Sequence, residues 1–141
     1  YPGGEFEATI LDHVENGIEA ASISEWPPIL EIGGLQQMRQ AVRQVHMKED
    51  VRRYITRLVT ASRRLPQVLL GASPRTGVQW MYAAKAAAVM EGRDFATPDD
   101  VKSIARPMLR HRLLIKPEVE VEGMTADQCI QKLLNEVESP E

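Results

Sequence analysis

Cysteine, aromatic residues, net charge and long apolar runs are all scarce in this 141-residue chain. The lone cysteine, Cys129, cannot form an internal disulfide and lies among aliphatic residues, which favours a reducing, cytoplasmic compartment. A net charge of −3 provides no basic field, so nucleic-acid binding is disfavoured. No apolar run approaches the roughly 18 residues that cross a bilayer, so we expect no membrane partner.

The remaining composition is that of an ordinary helical protein. Hydrophobic residues make up 43% of the chain and aromatic residues 5%, so the core would be built from close-packed aliphatic side chains. The length suits one domain. We therefore expect an all-α fold, a bundle of about five to six helices.

Apolar residues recur at helical spacing along most of the chain. Helices are predicted over residues 5–18, from residue 31 or 34 to 44, and over 49–63, 74–91, 98–113 with a break near Pro107, and 126–137. A loop is predicted at 20–28, with Trp26 as its candidate anchor. In the third helix one apolar stripe is formed by Val51, Tyr54, Ile55, Leu58, Val59 and Ser62. In the fourth, Val78, Met81, Tyr82 and Val89 are predicted to share a face, and five alanines between Ala83 and Ala88 indicate a central helix that its neighbours approach closely.

The stretch Ser73-Pro74-Arg75 begins a helix and leaves a positive charge in its first turn. Ser73 is a favourable N-cap, and Pro74 suits the first helical position, whose N–H is unpaired in any case. A cation here opposes the helix dipole by about 0.3–1 kcal/mol, whereas free N–H groups attract an anion. A phosphate bound by both, or a neighbouring carboxylate paired with Arg75, would explain the arrangement. Arg75 is therefore the candidate catalytic and phosphate-binding residue.

Conventional catalytic and metal-binding motifs are absent from the sequence. His13, His46 and His111 lack a second histidine or cysteine at metal-ligand spacing, so no metal site is predicted. Helix-start chemistry explains the acids Asp99-Asp100. The run Arg110-His111-Arg112 could contact phosphate, but a solvated helix end is the better interpretation. No glycine-rich phosphate loop is present, so a nucleotide site would have to be completed elsewhere.

Five short motifs follow one another between residues 70 and 113. They are Leu70-Gly71-Ala72-Ser73-Pro74-Arg75, Ala83-Ala84-Lys85-Ala86, Glu91-Gly92-Arg93-Asp94-Phe95, Thr97-Pro98-Asp99-Asp100-Val101 and Leu109-Arg110-His111-Arg112-Leu113. In this order they resemble the C-terminal lid of MoxR-type AAA+ ATPases. Weaker similarity on both sides extends the resemblance over nearly the whole chain.

The resemblance implies that Arg75 is the sensor 2 arginine, which in that family reaches from the lid to the γ-phosphate of ATP. It implies that residues 1–28 leave the ATPase core and form a linker, and that residues 29–141 are the lid. The core, with its Walker A and Walker B motifs, would precede Tyr1. ATP and Mg would then be bound by the parent protein, and this chain alone would not be catalytic. Members of the family generally form homo-oligomeric rings such as hexamers, and act as chaperone-like machines that mature or activate partner complexes.

The alternative is a non-enzymatic helical adaptor that binds a protein or a nucleic acid. Its binding surface would consist of Arg52, Arg53, Arg57, Arg63 and Arg64. Phosphate-driven binding through these arginines would weaken steeply as the salt concentration rises, which distinguishes the two hypotheses.

Overall fold

The computed structural model describes residues 3–17 and 27–140, and the chain divides into two units, Tyr1–Leu35 and Gln36–Glu141. The first unit contains helix α1 (Gly4–Glu15), in agreement with the predicted first helix. The predicted loop at 20–28, including Trp26, lies largely outside the described residues. The proposed boundary between core segment and lid at residues 28 and 29 stays a prediction.

Seven further helices and four short strands follow along the described chain. The helices are α2 (Gly34–Gln44), α3 (Glu49–Ser62), α4 (Pro74–Met90), α5 (Pro98–Ser103), α6 (Ala105–Leu109), α7 (Pro117–Val121) and α8 (Ala126–Glu136). The strands are β1 (His46–Met47), β2 (Val68–Leu70), β3 (Phe95–Ala96) and β4 (Leu114–Ile115). The all-α prediction is confirmed. Eight helices are described, more than the expected five or six. The difference comes from short helices, since α5, α6 and α7 have six, five and five residues.

The strands form two separate pairs that tie distant parts of the second unit together. β1 pairs in parallel with β3, with His46 opposite Phe95. β2 pairs antiparallel with β4, with Val68 opposite Ile115. Since β2 leads directly into α4, the second pair fixes the segment from which that helix begins.

Helix α3 buries the face that its sequence predicts. Its buried residues are Val51, Tyr54, Ile55, Leu58, Val59 and Ser62. This face packs against α4, α5 and α8. The helix begins after Lys48, whose side chain makes no capping hydrogen bond, so the acids Glu49 and Asp50 favour this end through the helix dipole alone.

Helix α4 is central, as predicted, but it buries a different face from the predicted one. Its buried residues are Thr76, Trp80, Ala84 and Ala88. Val78 and Tyr82 are exposed, and Met81 and Val89 are only partly buried. Alanines allow α3, α5 and α6 to approach closely, so small side chains rather than large aliphatic ones define the buried face. Trp80 fits there because its indole Nε1–H donates to the Val101 carbonyl at 2.9 Å.

Both ends of α4 are closed by local hydrogen bonds. The predicted stop at Gly92 is confirmed, since this residue has a φ of +74° and its N–H donates to Val89 O at 2.9 Å. The Arg93 N–H donates to Ala88 O at 2.9 Å, which completes a Schellman motif. The carbonyls of Ala88 and Val89 in the last turn are therefore satisfied by the residues that follow the helix.

The C-terminal helices follow the predicted caps and break. Thr97 and Thr125 each accept a hydrogen bond in a capping box at the start of α5 and α8. The break predicted near Pro107 occurs at Ile104, between α5 and α6, and Pro107 lies inside α6. Helix α6 ends at Leu109 rather than near residue 113, because the chain turns there toward β4. Helix α8 buries Cys129, Ile130 and Leu133. Among the described helices, none is long and apolar enough to cross a membrane.

Candidate functional site

The first turn of α4 has the geometry that Ser73-Pro74-Arg75 predicts. Ser73 is the N-cap, in an extended conformation, and its Oγ accepts the Thr76 N–H at 3.3 Å. Pro74 occupies the first helical position. Ser73 Oγ also lies 3.1 Å from Thr76 Oγ1, so the cap and the buried threonine form a small hydroxyl pair. Arg75 therefore lies on a helical turn whose start is well defined.

The loop before this turn is fastened to the end of α3. Ala72 is fully buried, and its N–H donates to Ser62 Oγ at 3.0 Å. The Arg63 Nε–H donates to the Ala72 carbonyl at 2.7 Å. A Cβ atom at Gly71 would lie only 2.7 Å from backbone atoms of Arg63 and Ser62, so no other residue fits this approach without a backbone shift. Sequence reasoning missed these contacts, since Ser62 was assigned only to the apolar stripe.

Arg75 itself is exposed. Within residues 3–17 and 27–140 it forms no hydrogen bond or ion pair with another side chain. The first turn of α4 contains no acidic residue. The local ion pair that could have explained this arginine is therefore not found in the described part of the chain, and its guanidinium can bind an incoming anion.

Arg112 lies against the same end of α4, which corrects the interpretation of its segment as a solvated helix end. Its Nη1 donates to Gln79 Oε1 at 2.5 Å and to Thr76 Oγ1 at 3.3 Å. Its Nε donates to His111 Nε2 at 2.9 Å. The side chain is partly buried. The motif Leu109-Arg110-His111-Arg112-Leu113 was the only sign in the sequence that Arg112 has a role. Its partners Thr76 and Gln79 could not be predicted, because they lie more than thirty positions earlier in the chain.

Arg110, two residues earlier, faces a different helix. Its Nε and Nη2 donate to the two carboxylate oxygens of Asp127 at 2.7 and 2.6 Å. This bidentate contact raises the pKa of Arg110 and lowers the pKa of Asp127. Arg110 thus joins the end of α6 to the first turn of α8, away from Arg75's helix.

A second polar cluster joins the end of α4 to the start of α5. Arg93 Nη2 and Nη1 donate to Asp100 Oδ1 and Oδ2 at 2.5 and 2.9 Å, and Arg93 also bonds Glu91 and the Phe95 carbonyl. The Arg93 guanidinium and the Thr97 N–H hold the pKa of the Asp100 carboxyl below its ordinary value, against the opposite effect of burial. Asp100 therefore does more than favour a helix dipole, which was the role predicted for it.

Most of the arginines in α3 and directly after it make contacts within the domain. Arg52 donates to the Met47 carbonyl at 2.8 Å, and Arg53 pairs with Glu49 at 2.5 Å. Arg63 is the residue that holds Ala72. Arg57 lies 6.0 Å from the ring centroid of Tyr54. These contacts give four of the five arginines partners within the domain, but all five, including Arg64, are exposed, so the adaptor surface stays a prediction.

The three histidines belong to different segments of the chain. His46 lies in β1, His111 accepts from Arg112, and His13 lies in the other unit. Across the described ranges, no group of three His, Cys, Asp or Glu residues is arranged to hold a metal ion.

The model of the AAA lid domain family matches residues 60–133, which is more than half of the chain. The matched segment contains β2, the whole of α4 and Arg112. The chain therefore belongs to the AAA lid domain family.

The chain is also similar to individual proteins and to a solved structure. The "Uncharacterized protein YeaC" of Bacillus subtilis is 29% identical over 99% of this chain and 43% of its own length. "Chaperone MoxR1" of Mycobacterium tuberculosis is 27% identical over 100% of this chain and 38% of its own length. A crystal structure of a "putative ATPase" from Cytophaga hutchinsonii is 27% identical with a TM-score of 0.76, over 100% of this chain and 44% of that one. The chain is thus similar over its whole length to proteins that include a MoxR chaperone, and it spans less than half the length of these relatives.

Proposed function

We propose that this lid completes an ATP site in its parent protein and that Arg75 is the sensor 2 arginine that binds the γ-phosphate. The observation that carries the proposal is an exposed guanidinium on the anchored first turn of α4, with no described ion-pair partner. Arg75 lies at the positive end of the helix dipole, where no acid of the turn offsets its charge. A phosphate at this end would relieve that imbalance.

Arg75 can contribute both to hydrolysis and to movement of the lid. An arginine on a charged, partly dehydrated phosphate can supply about 2–4 kcal/mol to the transition state, as single donors to developing oxyanions do. The contact exists only while the γ-phosphate is present. Because a ligand shifts a conformational equilibrium only through differential interactions, loss of this contact after hydrolysis would release the lid.

The wider role follows from the MoxR-type relatives. The parent protein would hydrolyse ATP with Mg bound in its core, and the lid's first partner would be that core. The parent would assemble as a homo-oligomeric ring, such as a hexamer, in the cytoplasm. It would act as a chaperone-like machine that matures or activates a client complex, a proposal supported by the relative named as a chaperone.

The test is Arg75→Ala in the complete protein. We expect ATP turnover to fall at least about tenfold, since removal of a charged donor to the reacting phosphate costs more than 1.4 kcal/mol of transition-state stabilisation. Thermal unfolding of the lid should not change, because Arg75 is exposed and makes no described side-chain contact. Steady-state ATPase assays and calorimetry provide the two measurements.

Arg53→Ala is the matched control. Arg53 is another exposed helical arginine, but it pairs with Glu49 on α3. Its replacement should leave turnover unchanged. Equal turnover for Arg75→Ala and the wild type would refute the proposal.

A further inference from the structure

We infer that Arg112 is a positioning residue for Arg75: it acts through Thr76 and Gln79 to fix the first turns of α4, and so sets the direction in which Arg75 points. This inference rests on the proposed role of Arg75. Arg112 itself touches no reacting atom in this scheme.

The contacts form a short chain from Arg112 to the N-cap. An arginine can only donate hydrogen bonds, so Thr76 Oγ1 accepts from Arg112 Nη1. The same Thr76 hydroxyl is hydrogen-bonded to Ser73 Oγ at 3.1 Å, and Ser73 Oγ also accepts the Thr76 N–H. The cap that begins Arg75's turn is therefore oriented from outside the helix by Arg112.

A second contact of the same guanidinium reaches one turn further along. Arg112 Nη1 also donates to Gln79 Oε1 at 2.5 Å. Residues 76 and 79 are three positions apart and share one face of the helix, so a planar, rigid donor group bridges the first and second turns there. The bridge limits rotation of this end of α4 about its own axis, which is the motion that would swing Arg75 away.

Arg112 does not serve to hold its own segment in place. Leu109 and Leu113, on either side of it, are buried, and β4 pairs with β2 immediately afterwards. The loop is thus already fixed by apolar packing and by strand pairing. The side chain of Arg112 is only partly buried, so its loss should cost little global stability.

A double-mutant cycle in the full-length protein tests the inference. The variants are Arg75→Ala, Arg112→Gln and both together, with kcat and KM for ATP measured alongside the thermal midpoint. We expect Arg112→Gln to lower kcat about three- to thirtyfold through misplacement of Arg75, with little change in the midpoint. In the Arg75→Ala background the same substitution should have no further effect, because the group that it positions is gone.

The control and a second variant separate this role from a structural one. Arg110→Gln removes a neighbouring arginine that faces Asp127 instead of α4, and kcat should not change. Gln79→Ala removes an acceptor while keeping Arg112, and should lower kcat in the same direction; this variant decides the matter if Arg112→Gln unfolds the lid.

Each unfavourable outcome has a distinct meaning. If Arg75→Ala lowers kcat and Arg112→Gln does not, the positioning role is wrong and the proposed function stands. If Arg112→Gln lowers kcat equally in both backgrounds, Arg112 acts independently of Arg75 and the inference is again overturned. If Arg75→Ala has no effect, both proposals fail.

Discussion

At the scale of single residues, Asp100 is a buried acid whose ionised form is stabilised by several hydrogen bonds. It is 4% exposed, and its carboxylate accepts hydrogen bonds from Arg93, the Thr97 N–H and the Thr97 hydroxyl. The pKa of this carboxyl is lowered in the folded protein. The unfolded chain therefore binds the proton more readily, so Asp100 contributes full stability above its unfolded pKa of about 3.9 and loses that contribution as the pH falls through the folded value.

We predict that Asp100→Asn lowers the free energy of unfolding by about 2 kcal/mol at pH 7, through loss of charged hydrogen bonds and of half the capping box. The deficit should shrink as the pH falls below about 4, because the carboxyl then becomes protonated in the unfolded chain while the folded protein still holds it ionised. Urea unfolding at pH 7 and pH 3 measures this. Asp99→Asn is the control, since that side chain is 89% exposed. An equal deficit at both pH values would contradict the electrostatic origin.

Single residues also mark the limit of prediction from sequence. The cap at Ser73 and the place of Arg75 were predictable because capping depends on residues one to three positions apart. The pairing of Arg112 with Gln79 and of Arg110 with Asp127 was not, because these partners lie 33 and 17 positions apart. Only the folded chain brings such groups together.

At the scale of elements, two glycines near the start of α4 have opposite roles. A Cβ atom at Gly77 would meet Val59 Cγ2 at 3.5 Å, which is an ordinary contact. A Cβ atom at Gly71 would meet the backbone of Arg63 at 2.7 Å, which requires a shift. Gly77 thus weakens the helix without steric need, whereas Gly71 is required by the approach of the loop to α3.

We predict that Gly77→Ala raises the free energy of unfolding by about 0.5–1 kcal/mol, the usual advantage of alanine inside a helix. Gly71→Ala should lower it by about 1–3 kcal/mol, as overpacking does. Chemical denaturation of the two variants provides the comparison. An unchanged or raised free energy of unfolding for Gly71→Ala would show that the close approach at Gly71 does not control stability.

The elements differ in how well periodicity predicts them. In α3 large apolar residues form one stripe, and this stripe is the buried face. In α4 the neighbouring helices pack onto alanines and Trp80, so a prediction based on large aliphatic side chains selects the wrong face as the buried one. Helix α7 (Pro117–Val121) buries no residue and has no apolar stripe, so no periodic pattern predicted it.

At the scale of the whole molecule, the sequence contains no glycine-rich phosphate-binding loop to accompany the arginine proposed for a nucleotide site. We predict that the 141-residue chain alone neither hydrolyses ATP nor binds it tightly, because one guanidinium and a helix start cannot replace a P-loop. Isothermal titration with ATP and Mg tests this, with Arg75→Ala as the matched variant. Micromolar affinity lost in that variant would mean that the lid holds a nucleotide without its core.

Because hydrogen bonds close both of its ends, α4 can move as one rigid rod. Its 17 residues span about 25 Å, from the turn that carries Arg75 to the exposed Met90. Ser73, Gly71 and Arg112 fasten one end, and the Schellman motif at Gly92 closes the other, so neither end can fray to absorb a rotation. A tilt of about 10° imposed at the phosphate end would carry Met90 by about 4 Å over such a length. Under the proposed contact of Arg75 with a phosphate, breaking a single bond in the nucleotide would thereby displace the far end of α4 by the length of a side chain.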